Sequence, residues 1–123
     1  MKQILSFSLG DHGYRRTGSA SDEMILLSMF LTTDYFVYFP GFLMKWLSDP
    51  AQDSTNANIT YLQKDNGMIV VGDLYEEDPV LVFQIPTDKF VKLLRDWKKA
   101  IEKKPKKIVI TKEGGEITIE SKN

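Results

Sequence analysis

IPTDKFVKLLRDWKKAIEKKPKKIVITKEGGEITIE, residues Ile85–Glu120, decides the architecture. Its first half reads as a helix over Thr87–Lys104. Thr87 is placed to cap the N-terminus, and Asp88 falls in the first turn, where the helix dipole favours negative charge. Phe90, Leu94, Trp97 and Ile101 recur at helical spacing, with Leu93 and Ala100 beside them, which gives one apolar stripe. Lys98, Lys99, Lys103 and Lys104 gather at the C-terminal end, and Pro105 cannot continue the helix. The second half reads as a hairpin around Gly114-Gly115, a pair suited to a two-residue turn with positive φ. That turn sets Ile110 opposite Ile119 and Lys112 opposite Ile117, with Ile108 on the same face. Thr111 against Thr118 and Val109 against Glu120 make the other face. One face is apolar and the other mostly polar, as in a sheet covered on one side by the helix stripe.

Working outward, Lys2–Leu9 alternates as an N-terminal strand, and Gly10–Asp22 is a polar, glycine-rich loop. Met24–Leu31 is a continuous apolar run that suits a buried strand or a short helix; Ser21-Asp22-Glu23 in front of it favours the helix. Tyr35–Phe39 is aromatic and reads as extended, while Phe42–Ser48 is a short helix ended by Asp49-Pro50. Ala51–Asn58 is a polar loop. Asn66-Gly67 joins Ile59–Lys64 to Met68–Leu74 in a hairpin, and Val80–Ile85 is a further strand. The expectation is one α+β domain over residues 1–123. It has a mostly antiparallel sheet, with the long helix at 87–104 and a shorter helical region packed on one face.

The chain has no cysteine and one histidine, so thiolate chemistry is excluded and zinc has almost no ligand set. No calcium loop, P-loop, dinucleotide fingerprint or nucleophile elbow occurs. No metal and no cofactor is expected. No signal peptide is visible, and the apolar stretches Met24–Leu31 and Tyr35–Leu47 are too short or too interrupted to span a bilayer, so no membrane is expected. The net charge of −1 hides polarity: residues 1–80 carry −6 and residues 81–123 carry +5. The lysines of the long helix are interleaved with Asp88, Asp96 and Glu102 and have no aromatic alternation, so they read as a solvated face and no nucleic acid is expected.

Three places are candidates for function. Asp11-His12, followed by Arg15-Arg16, is the only acid–base constellation, although adjacent residues point apart and no nucleophile accompanies them. The segment 30–46 holds Phe30, Tyr35, Phe36, Tyr38, Phe39, Phe42 and Trp46, half of the fourteen aromatics of the chain. It reads first as a core wedge with Tyr35 or Tyr38 reaching solvent, and otherwise as a ligand pocket or an exposed interface. The third is an acidic turn, Asp73, Glu76, Glu77 and Asp78, with Tyr75 among them and Asp65 at the adjoining hairpin. Such a turn is ordinarily a merely solvated one; the functional reading, prompted by like charges this close opposing folding, is a surface for a basic partner with Tyr75 as an anchor.

Three blocks carry a family resemblance: Asp73-Leu74-Tyr75-Glu76-Glu77-Asp78-Pro79, F-x-I-P-T-x-x-F-x-x-L-L-x-x-W over Phe83–Trp97, and K-K-P-K-x-I-x-I-T-x-x-x-G-x-I-T-I-E over Lys103–Glu120. In these the chain resembles small bacterial immunity proteins that partner the C-terminal toxin domains of polymorphic and contact-dependent growth-inhibition systems. The resemblance covers about the last half of the chain. It implies a non-enzymatic, cytoplasmic protein that neutralises a cognate toxin by binding over or near its active site. It carries over no binding residue, because such interfaces diversify between pairs. Many such toxins are nucleases with basic active surfaces, which an acidic inhibitor would complement. The alternative is a small ligand-binding or enzymatic domain using segment 30–46 and the Asp11-His12/Arg15-Arg16 loop. A third reading is a homo-oligomeric structural protein that uses the exposed aromatics; oligomeric state is left open.

Overall fold

A computed structural model of the chain describes residues 2–76 and 81–123. The fold is α+β, and its strands form two antiparallel four-stranded sheets. The first contains β1 (Lys2–Gly10), β2 (Gly13–Thr17), β7 (Lys107–Glu113) and β8 (Glu116–Lys122) in the order β2-β1-β7-β8. The second contains β3 (Ser54–Asn56), β4 (Thr60–Asp65), β5 (Met68–Asp73) and β6 (Phe83–Pro86) in sequence order.

The helices join the sheets into one core. α1 (Asp22–Met29) touches β1, β5 and β6, and α4 (Thr87–Glu102) touches β5, β6 and β8. Phe7, Ile108 and Ile110 of the first sheet, Ile69, Val71 and Phe83 of the second, and Phe90, Leu94 and Trp97 of α4 share a single cluster. The helix stripe is buried as its spacing requires, with Ile101 at the half-buried margin. The hairpin register is also the expected one: Ile110↔Ile119, Thr111↔Thr118 and Lys112↔Ile117. Lys112, a cation on the apolar face, lays its ammonium over the Phe83 ring of the other sheet at 5.4 Å from the centroid.

Local expectations differ from the structure at several points. Thr87 is the first helical residue, not the cap; its Oγ1 donates to the Gly67 carbonyl at 3.0 Å and ties the helix start to the β4–β5 turn. In that turn Asn66 and Gly67 have φ of +50° and +78°, the signature of a type I′ hairpin. The Gly10–Asp22 region contains β2, and the Ala51–Asn58 region contains β3, both polar edge strands too weakly patterned to stand out. The last strand before α4 is Phe83–Pro86; Val80, expected within it, lies outside the described residues. Ser21 caps α1 by accepting from the Met24 amide at 3.3 Å. The helix then continues through a π-helical segment, Phe30–Asp34, into α2 (Tyr35–Tyr38). The extended reading of Tyr35–Phe39 is therefore corrected: burial of Phe30, Leu31, Asp34 and Tyr35 on one helical side outweighs the strand preference of the aromatics. α3 (Gly41–Ser48) follows, and its end is held by Lys64, whose Nζ donates to the Trp46 and Asp49 carbonyls at 2.6 and 2.7 Å.

Candidate functional site

The acidic residues singled out above divide into two places. β4 and β5 pair Asp65 with Met68 at one end of the hairpin and Thr60 with Asp73 at the other. Five residues of strand, about 17 Å, therefore separate Asp65 from Asp73, and Asp65 does not belong with the acidic turn. Glu77 and Asp78 lie outside the described residues. Asp73, Tyr75 and Glu76 do come together. Asp73 Oδ1 accepts from the Tyr75 amide at 3.0 Å, closing an Asx turn. The Leu74 amide bonds to the Ile59 carbonyl at 3.0 Å and fixes the turn to β4. Tyr75 is 73% exposed, yet its hydroxyl donates to the Asn58 carbonyl at 3.1 Å. Its ring is thus held in solvent at both ends.

Asn58 connects this turn to the aromatic segment. The Tyr38 hydroxyl donates to Asn58 Oδ1 at 3.2 Å, and the Tyr38 ring meets Phe42 edge-on at 5.5 Å between centroids. Phe42, Tyr38, Asn58, Tyr75 and the Asp73 and Glu76 carboxylates therefore form one surface. The aromatic and acidic features, separate in sequence, are a single platform.

A buried carboxylate holds the platform in place. Asp34 is 0% exposed and accepts hydrogen bonds from the amides of Asn58 (3.1 Å), Ile59 (3.2 Å) and Thr60 (2.9 Å) and from the Thr60 hydroxyl (2.6 Å). An unpaired carboxylate could not stay buried; four donors converging on it satisfy the charge and fix the Asn58–Thr60 backbone. Sequence reasoning missed both Asp34 and Asn58. The signal for Asp34 was present: it is the only charge in the run from Met24 to Met44.

Beside the platform, Asp22, Asp73 and Glu76 rim a depression of about 210 Å³ whose walls include Ile25, Met29 and Leu81. Apolar walls under a carboxylate rim suit a basic side chain with a long aliphatic stem. Phe36 and Val37, also on α2, are exposed, while Phe30, Tyr35 and Trp46 belong to the core, so the aromatic segment is divided between core and surface. Tyr35, not Tyr38, is the buried one of the two tyrosines; burial and the nearby Glu102 carboxylate push its phenol up to about 12.

Asp11 and His12 occupy the exposed β1–β2 turn, and no hydrogen bond joins them among the described residues. Asp11, His12 and Arg15 line one depression of about 360 Å³, while Arg16, the next residue of β2, projects to the other face and donates to the Gly18 carbonyl at 2.7 Å, so three of the four come together. The aromatic segment meets this hairpin at an apolar cleft of about 330 Å³, where Phe36 lies with Leu9, Gly13 and Tyr14 of the hairpin and with Ile101, Glu102 and Lys104; His12 does not line it. Among the described residues no cluster of three or more histidines or carboxylates could hold a metal ion, and no single helix is long and apolar enough to cross a membrane. Comparison with protein-family models, curated proteins and solved structures finds no match to this chain.

Proposed function

We propose that this chain is a non-enzymatic cytoplasmic immunity protein that binds and masks a cognate bacterial toxin domain of basic surface, such as a nuclease. The observation that carries the reading is the pair Tyr38 and Tyr75, both hydrogen-bonded to Asn58 beside Asp73 and Glu76. Aromatic rings with polar tips dominate binding energy at interfaces, and a ring already held in place loses little entropy on association. The carboxylates add steering: the −6 charge of residues 1–80 draws a basic partner in, and the rings set how slowly it leaves. Neutralisation then follows from occlusion, with no chemistry required of this chain. The resemblance in the blocks around Asp73, Phe83 and Lys103 supports the same reading. The ligand-binding or enzymatic alternative draws less support, because the aromatic segment contributes only Phe36, to the cleft beside Leu9 and Tyr14, and nothing to the depression that holds Asp11, His12 and Arg15.

The test is association kinetics with the purified product of the gene immediately upstream. Glu76→Lys is expected to slow association about tenfold at low salt and to flatten its salt dependence, with the fold unchanged. An unchanged association rate for a partner that is still neutralised moves the interface away from this turn.

A further inference from the structure

The first sheet ends in β8, and among the described residues nothing pairs with its outer side. At seven residues this is the longest sheet edge among the described residues, against five for β2, three for β3 and four for β6. Long open edges are templates for pairing, and proteins ordinarily shorten, bulge or cover them. The geometry of the hairpin says which groups are free. Gly114 has φ of +61° and opens a two-residue turn closed by Glu113 and Glu116. A closing pair exchanges both of its hydrogen bonds, and the bonds alternate from there. The N–H and C=O groups of Thr118, Glu120 and Lys122 therefore point into β7, and those of Ile117, Ile119 and Ser121 point outward.

The side chains of β8 select an occupant. Glu116-Ile117-Thr118-Ile119-Glu120-Ser121-Lys122 laid antiparallel on itself about Ile119 pairs all seven positions. Glu116 then faces Lys122 of the second strand, twice over by symmetry, while Thr118 faces Glu120 and Ile119 faces Ile119. Moving the centre one residue towards the turn sets Glu116 against Glu120, and moving it one residue the other way sets Glu120 against Glu120. Opposite charges across a ladder stabilise it and like charges destabilise it; centring on Ser121 also sets Glu120 against Lys122 but pairs only three positions, so charge and length together pick the register about Ile119. The Glu116 carboxylate keeps Oε2 for this contact, its Oε1 being held by Lys89 Nζ at 2.9 Å.

The helix behind the edge makes room for the same occupant. Asp96, Lys99, Ala100 and Lys103 of α4, with Ile119 and Ser121 of β8, line a cleft of about 300 Å³. The cleft thus lies between α4 and β8, on the helix-covered face of the sheet. Paired residues in a ladder point to the same face, so Ile119 and Ser121 of an added β8 would enter this space.

We propose that β8 pairs with β8 of a second copy of this chain, antiparallel about Ile119, giving a two-fold dimer with one continuous eight-stranded sheet. The dimer surface shares no residue with the Tyr38–Asn58–Tyr75 platform, so either assignment can fail alone. The experiment is sedimentation equilibrium of the full chain from about 1 µM to about 1 mM, with circular dichroism of each variant. The wild-type chain is expected to follow a monomer–dimer equilibrium. Ser121→Pro removes an N–H from the open side without touching the β7 ladder, and it is expected to be a folded monomer. Lys122→Glu turns two attractive contacts repulsive and is expected to weaken the dimer about tenfold; it decides the matter should the proline variant misfold. A wild-type chain that is monomeric throughout overturns the proposal, as does a chain that is monomeric alone but accepts a foreign strand at this edge. A dimer whose dissociation constant Lys122→Glu leaves unchanged also overturns it.

Discussion

Replacing Asp34 by alanine removes the acceptor on which four donors converge. Their fates differ. Asn58 is exposed and Ile59 half-buried, so water can reach both amides once the carboxylate is gone. Thr60 is 0% exposed, and its amide and hydroxyl have no such recourse. Each stranded buried donor costs about 1–3 kcal/mol, and deletion also relieves the desolvation of a buried charge, which offsets part of the loss. The expected net destabilisation is about 3 kcal/mol. Asp34→Asn is expected to lose about 2–3 kcal/mol, because its amide oxygen keeps part of the acceptor capacity while its NH₂ confronts existing donors. Thr60→Val, which deletes the hydroxyl alone, should cost about 1 kcal/mol. The assay is urea unfolding followed by the fluorescence of Trp46 and Trp97, both in the core, with amide exchange read at Asn58–Thr60. Asp34→Ala less than 1 kcal/mol from wild type, at unchanged m-value and with protected Asn58–Thr60 amides, would refute the claim that this carboxylate fixes the platform.

Trp97→Ala is expected to cost about 3–5 kcal/mol in the same melts, since the ring is fully buried and packs on Phe7 at 4.8 Å between centroids; a loss under 1 kcal/mol would place the stripe elsewhere. Trp97→Phe should recover much of that loss, because the indole N–H has no hydrogen-bond partner among the described residues. Tyr35 makes stability fall as pH rises. The unfolded chain releases the phenol proton near 10, and the folded chain keeps it to about 12, so the unfolded state binds fewer protons in that window. Wild type should therefore lose stability more steeply than Tyr35→Phe between those values, and parallel curves would contradict the assignment.

Legibility from sequence followed the range of the interactions. The α4 helix and the β7–β8 register were readable because a helix stripe, a proline stop and a two-residue turn are set within a few neighbours. The β4–β5 hairpin was readable for the same reason, through Asn66-Gly67. The division into two sheets was not, because it rests on β1 pairing with β7, about a hundred residues away in sequence. β2 and β3 are short, polar and at edges, so they leave almost no alternation to find. At the candidate site, Asp73, Tyr75 and Glu76 could be singled out by composition, but the separation of Asp65 from them needed the hairpin register. The union of Tyr38 with Tyr75 needed Asn58, an ordinary loop residue whose importance comes only from what reaches it. Asp34 shows the converse: a lone carboxylate in an apolar run was legible as an anomaly, although its four donors were not.

The central claim is that Tyr38 and Tyr75, held on Asn58, bind a toxin domain. It is tested most directly by co-expressing the chain with the product of the gene immediately upstream, reading growth together with pull-down of the complex. Wild type is expected to restore growth and to co-purify with the toxin in a stable complex. A folded Tyr38→Ala/Tyr75→Ala variant is expected to bind at least about a hundredfold more weakly and to lose protection, as befits two central aromatic anchors. Failure of wild type to bind or protect, or full protection by the double variant at unchanged affinity, would contradict the account.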